Sequence, residues 1–243
     1  MMSPRLYRNS RVYDFFMKSL GYERGIDRFL RGVSVEYPGR FRILDAGCGT
    51  GMLGLHFLQR FPQSELIATD LEPNFLQATL ANAQRRGIKP HRIQVGVADI
   101  STPQHLTTLN HESRTLDDES FSIVCVGAVV GYADDTEQSI RQLIRLLTPG
   151  GTLINIEMNE SPAGRFVSHR YHYRNIALSR MQEVMRDEGC EVKYSRLSVS
   201  HLPAKLTRTA IIARKPLQAI GPRQTNFVFP GIATGGTGMS PHS

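Results

Sequence analysis

Residues 43–53 read ILDAGCGTGML, an apolar run that ends at an acid and then breaks into alternating glycines. Such a run fits a buried strand feeding a tight turn and a helix, a geometry that aims free backbone N–H groups at a ligand. Gly47, Gly49 and Gly51 lack a Cβ and tolerate positive φ, so the backbone can approach a bound molecule closely at these positions. Asp45 adds a carboxylate at the strand end. Residues 49–54 also fit G-x-G-x-x-G, so a dinucleotide-binding loop is a competing reading of the same turn.

Outward from this turn the chain alternates between strand and helix patterns. Upstream, Ser10 can cap a helix with Val12, Phe15, Phe16 and Leu20 on one face, and Ile26, Phe29, Leu30 and Val33 mark a second helix. Downstream, a helix with Phe57, Leu58 and Phe61 precedes a strand over residues 66–69 that ends at Asp70, and Pro73 opens another helix. Residues 92–98 and the apolar run 121–127 read as strands, the second suited to a sheet centre covered on both faces. Asp135 and Gln138 have the spacing of a capping box, and a strand follows over 152–158. A helix around 176–188 then leads to two strand candidates, 191–197 and 206–214, joined through Pro203 as a hairpin. The alternation predicts an α/β fold with a doubly wound, mostly parallel sheet, because parallel neighbours need crossover connections and helices supply them. The expected organisation is an N-terminal helical cap over 1–39, a ligand-binding domain over 40–215, and a Gly/Pro-rich tail over 216–243 with little regular structure.

The glycine turn with Asp45, the later acids Asp70 and Asp99, and Pro149-Gly150-Gly151 together resemble the class I S-adenosylmethionine (SAM) dependent methyltransferases over roughly residues 40–215. The acid two positions before the first glycine belongs to that pattern and is not required of a dinucleotide fingerprint, which makes a dinucleotide-dependent oxidoreductase the weaker alternative. The resemblance implies a Rossmann-like seven-stranded sheet with an antiparallel last strand, and SAM as cofactor. Asp70 stands about 20 residues past the loop, where an acid accepts hydrogen bonds from both ribose hydroxyls, with Leu71 beside it. The family places at Asp99 a residue that contacts the adenine, with Ile100 packing on the ring. Gly127 and Ala128 would lie under the methionine part, and Asp45, Gly47, Cys48, Gly49 and Gly51 would form the cradle.

Transfer of a methyl group from a sulfonium needs donor and acceptor held in line in a dry site, and a base only if the acceptor must lose a proton. Candidates for that role are His169, His172, Tyr171 and Tyr173 in SHRYHYR, Glu157 at the end of the fifth strand, Tyr132 after the fourth, and Tyr7 and Tyr13 near the N-terminus. The family's Asn/Asp-Pro-Pro-Tyr/Phe sequence is absent after the fourth strand, where GAVVGY stands, and there is no Pro-Cys nucleophile. Exocyclic-amine and pyrimidine C5 chemistry are thereby disfavoured. The pattern is similar to small-molecule methyltransferases, including those of quinone biosynthesis, which build the acceptor pocket from an N-terminal cap and the segment after the fifth strand. Here those segments are basic and aromatic, suggesting a small organic or lipid-like acceptor with an anionic part.

Charge is unevenly distributed. Residues 1–42 hold nine Lys/Arg against four Asp/Glu, residues 43–160 eight against fourteen, and residues 161–243 twelve against four, giving +7 overall. Basic flanks raise a nucleic-acid (RNA) methyltransferase as an alternative. The positive charges are dispersed, however, without the dense runs or interleaved aromatics of a nucleic-acid surface. Cys48, Cys125 and Cys190 are far apart in the sequence, which argues against a disulfide framework and against a metal site. No apolar stretch reaches the ~18 residues of a membrane span and the first ten residues lack a signal core, so a cytoplasmic protein is expected.

Overall fold

The computed structural model describes residues 21–35, 37 and 39–217. The helix expected after Ser10, with Tyr7 and Tyr13, and the tail beyond residue 217 lie outside the described residues. In chain order the elements are α1 (Tyr22–Arg31), β1 (Arg42–Ala46), α2 (Met52–Arg60), β2 (Glu65–Asp70), α3 (Pro73–Arg85), β3 (Ile93–Val97), β4 (His105–Thr108), β5 (Ser113–Thr115) and β6 (Phe121–Gly127). They continue with α4 (Thr136–Arg145), β7 (Leu147–Met158), α5 (Pro162–Arg170), α6 (Leu178–Asp187), β8 (Glu191–Arg196) and β9 (Arg208–Arg214).

All nine strands join one sheet in the order β5-β4-β3-β2-β1-β6-β7-β9-β8. β3, β2, β1, β6 and β7 are mutually parallel, and β9 inserts antiparallel between β7 and β8. The terminal hairpin read from residues 191–214 is therefore present, and the fold is the mixed α/β sheet expected. Chain progression reverses at β1, with β2 on one side and β6 on the other, so the carboxyl ends of these strands form the switch point at which open α/β sheets take ligands.

The count of seven strands is corrected to nine. β4 and β5 form an antiparallel pair at the sheet edge, turning through His111 at φ 64°. This hairpin stands in the connection between β3 and β6, where the sequence reading assigned no element, and its Leu106 and Leu116 join the second core layer. Its strands are four and three residues long and rich in Thr and charged residues, too short for periodicity to expose.

Alternation along β1 divides the interior into two layers. Ile43 packs with Leu30, Leu55, Phe57, Leu58 and Leu76 on the face covered by α1, α2 and α3, whereas Leu44 packs with Ile140, Leu143, Met181 and Val184 under α4 and α6. Helix α1 is held on the outside of the first layer. Its Ile26, Phe29 and Leu30 are buried, Asp27 Oδ1 lies 2.7 Å from His56 Nδ1 of α2, and Arg28 donates to the Ser200 carbonyl at 2.8 Å. Among the described residues no helix is long and apolar enough to cross a membrane.

Candidate active site

The glycine turn is built from beneath. Cys48 N–H donates to the Thr69 carbonyl at 2.8 Å, tying the turn to β2. From α3, Thr79 donates its hydroxyl to the Gly49 carbonyl and Asn82 its amide to the Thr50 carbonyl, each at 2.9 Å. Thr79 and Asn82 were not singled out from sequence, although two polar residues three apart on the buried face of a helix are a legible signal. The glycines differ in why they must be glycine. A Cβ at Gly47 (φ 69°) would meet Val129 Cγ2 at 2.3 Å, and one at Gly51 (φ 83°), the residue before α2, would meet Thr79 and Leu55 below 3.0 Å. At Gly49 (φ 54°) a Cβ would meet nothing within 4 Å. Gly49 therefore borders open space, the side from which a ligand can reach the backbone.

The acids divide into a support and a rim. Asp45 is 1% exposed and its Oδ2 accepts the Gly54 N–H of α2 at 2.8 Å, so it holds the helix start from below. Burial pushes its carboxyl up to about 7, with the Gly54 hydrogen bond opposing and the nearby Asp70 adding to the rise. Asp70, at the end of β2, accepts from Gly49 N–H at 2.8 Å through Oδ2 and from Glu72 N–H at 3.0 Å through Oδ1. Burial raises its pKa as well, against these two hydrogen bonds. Each Asp70 oxygen retains acceptor capacity beyond its backbone partner. Ala98 N–H donates to the Asp70 carbonyl at 3.1 Å, which sets Asp99 just beyond Asp70 on the neighbouring strand end. Asp99 is exposed and its Oδ1 accepts Ser101 N–H at 2.7 Å, while Ile100 is buried and Leu71 projects with 61% exposure.

Cys48 is 7% exposed, and burial raises its thiol well above the ordinary range, so no thiolate nucleophile stands in the loop. Cys48, Cys125 and Cys190 are all free and buried, and no metal-binding cluster occurs among the described residues.

The second half of the site lies at the ends of β6 and β7. Gly127 closes β6, Ala128 follows in the left-handed region at φ 50°, and the next residue, Val129, covers Gly47, so the β6 loop meets the glycine turn directly. Ala128, Met158 and Tyr173 form a small apolar cluster separate from the two main cores. Of the residues considered for an acceptor role, His169 is exposed on α5, His172 is exposed at φ 53°, and Tyr132 is 41% exposed, donating to the Tyr171 carbonyl at 3.2 Å. Glu157 differs from these in being only 1% exposed. Its Oε1 accepts Tyr173 OH at 2.5 Å and Met158 N–H at 2.7 Å, and its Oε2 has no partner. Tyr173 OH in turn accepts Gly131 N–H at 3.1 Å.

A mostly parallel α/β sheet with a glycine turn after β1, an acid after β2 and an antiparallel β9 is the arrangement that the resemblance to class I methyltransferases implies. The comparisons with known proteins agree. Residues 44–153 match the family model described as "Methyltransferase domain". The chain is 26% identical over 136 residues to a demethylmenaquinone methyltransferase of Thermus thermophilus, covering 56% of each protein. It is 26% identical over 206 residues to a ubiquinone/menaquinone biosynthesis C-methyltransferase of Syntrophotalea carbinolica, covering 83% of this chain and 79% of that one. The match thus spans little more than half the length of the Thermus enzyme. Among solved structures, a Haemonchus contortus phosphoethanolamine N-methyltransferase in complex with SAM superposes with a TM-score of 0.59 at 15% identity, over 87% of this chain and 59% of that one. The resemblance to class I small-molecule methyltransferases read from the sequence is supported by the family model and the two bacterial relatives, and the solved structure shows a shared fold.

Proposed function

We propose that this protein is a SAM-dependent methyltransferase acting on a small organic acceptor of the quinol type. The observation that carries the reading is the turn at Gly49, whose backbone faces open space while its N–H is held by the same Asp70 carboxylate that would receive the ribose hydroxyls. When bound, SAM would supply an electrophilic methyl group on a positively charged sulfur. The chain's own residues account for the rest. Gly47, Cys48, Gly49 and Gly51 would present the backbone, Asp70 with Leu71 would take the ribose, and Asp99 and Ile100 the adenine. Gly127 and Ala128 would leave room beside the sulfur, and Asp45 would act from below by fixing the start of α2. Carboxyl groups at the rim (Asp70) and beneath the turn (Asp45) suit ribose hydroxyls and a cationic ligand better than a pyrophosphate, which counts against a dinucleotide.

The names of the two bacterial relatives support a quinone-type acceptor and C-methylation. The exposed Arg165 and Arg170 on α5 and Lys205 nearby support an anionic portion on that acceptor. A polynucleotide acceptor is not favoured. Incubation of the purified protein with methyl-labelled SAM and a short-chain demethylmenaquinol should give labelled quinol. SAM binding without label in quinol would reject the acceptor, and absence of SAM binding would reject the reading as a whole.

A further inference from the structure

Glu157, the penultimate residue of β7, is only 1% exposed, with one carboxyl oxygen doubly hydrogen-bonded and the other without a hydrogen-bond partner. A carboxyl group this deeply buried is costly to a fold and calls for a role. Its position is specific. Gly127 pairs with Ile156 across β6 and β7, so Glu157 lies one residue past that pair, level with Ala128. Its partner Tyr173 reaches the same point from the segment after α5, and its hydroxyl also accepts Gly131 N–H from the β6 loop. The phenol oxygen therefore bridges the two strand ends beside which the methyl group would lie, on the function proposed above. Gly131 is sized for this bridge, because a Cβ there would meet Tyr173 Cζ at 2.5 Å and the Arg174 carbonyl at 2.4 Å.

We infer that Tyr173 and Glu157 form a proton relay, in which Tyr173 touches the acceptor as the catalytic residue and Glu157 works through it. The acceptor atom bonds to the methyl carbon with its own electron pair, and the carbon–sulfur pair remains with the departing thioether. The proton leaving the acceptor passes to Tyr173 Oη while the Tyr173 proton passes to Glu157 Oε1. Charge balances, because the positive charge lost from sulfur is matched by neutralising the Glu157 carboxylate. A phenol alone is too weak a base for this step near neutral pH. Tyr173 is held well above its ordinary range by burial and by Glu157, so it acts only by handing its own proton on. Burial likewise raises Glu157, opposed by Tyr173, Met158 N–H, Arg208 of β9 and Asn155, which makes it a stronger base than an exposed glutamate. Arg208 itself is anchored by the Met158 sulfur. His169 and His172 have no part in this relay.

The test has two arms. In the first, methylation of a short-chain demethylmenaquinol is followed against pH. Wild-type kcat should rise with pH as Glu157 loses its proton. Glu157→Gln and Tyr173→Phe should each lower kcat about 10²- to 10⁴-fold, with KM changed only a few-fold and the pH dependence flattened. Variants that raise KM or lower stability while retaining the wild-type pH profile would assign a structural role and overturn the relay. The second arm needs no acceptor. The infrared carboxyl band that vanishes in Glu157→Gln should titrate above the ordinary glutamate range in wild type. In Tyr173→Phe its midpoint should move up by about one pH unit, because the hydrogen bond that favours the charged form is gone. A band that titrates identically with and without the Tyr173 hydroxyl overturns the relay. Wild-type protein that leaves the quinol untouched while showing the coupled band would overturn the quinol acceptor and not the relay.

Discussion

Replacing Asp45 by Asn should make the protein more stable at pH 8 and leave it nearly unchanged at pH 4. Asp45 is almost fully buried and its carboxyl is raised from 3.8 to about 7. A group with a raised folded-state pKa favours folding below its unfolded value, and that contribution is lost as pH rises through the folded value. Between these limits the native state binds a proton that the unfolded chain does not. A gap of about three units at 1.36 kcal/mol each is about 4 kcal/mol, and about 2–4 kcal/mol is the working range for a buried group. Asparagine has nearly the same shape, keeps an acceptor for Gly54 N–H and carries no charge, so it escapes this loss. Unfolding midpoints in urea at pH 4 to 8 measure it directly, and thermal melts should differ at pH 8 by roughly 5–10 °C for a chain of this size. If Asp45→Asn is less stable than wild type by the same amount at every pH, Asp45 is ionised with a compensating partner and the account of the turn is wrong. Bound SAM, carrying a net positive charge, should narrow the difference between the two proteins.

Gly47→Ala should abolish SAM binding and lower stability, because its Cβ would fall 2.3 Å from Val129 Cγ2 at φ 69°; calorimetry and a melt would check both. Gly49→Val should meet no packing clash, although a β-branched side chain at φ 54° strains the backbone, and should remove SAM binding by filling the open space; normal binding by this variant would move the cradle elsewhere. Deleting residues 1–35 removes buried Ile26, Phe29 and Leu30 along with the Asp27–His56 contact, so melting temperature and SAM affinity should fall together; loss of turnover with SAM binding and stability intact would instead assign this segment to the acceptor side as a cap.

Legibility in the sequence followed the strength of the local signal. The turn at Gly47–Gly51, the strand ending at Asp70, the apolar β6 and the terminal hairpin were all visible, because each has a periodicity or a punctuating residue that physics ties to one geometry. Asp135 caps α4 by accepting Gln138 N–H at 3.0 Å, one half of the capping box read there. The β4–β5 hairpin was hidden because short edge strands need no apolar alternation and its turn uses His111 rather than glycine. Helix α5 has no counterpart in the sequence reading, although Ser161, whose hydroxyl accepts Gly164 N–H at 3.0 Å, followed by Pro162 is a readable helix start. Glu157 could be proposed from its place at a strand end. Its buried state and its pairing with Tyr173 depend on a tertiary contact sixteen residues apart in sequence, which no local pattern encodes.

The central claim is tested most directly by titrating SAM into wild-type protein and into Asp70→Ala by calorimetry, with Asp70→Asn as the variant that keeps an acceptor for Gly49 N–H. Wild type should bind SAM at one saturable site. Asp70→Ala should bind about tenfold to a hundredfold more weakly, from the loss of charge-assisted hydrogen bonds worth about 1.5–3 kcal/mol, and Asp70→Asn should fall between. No binding of SAM by the folded wild-type protein, or equal affinity in all three, would contradict the account.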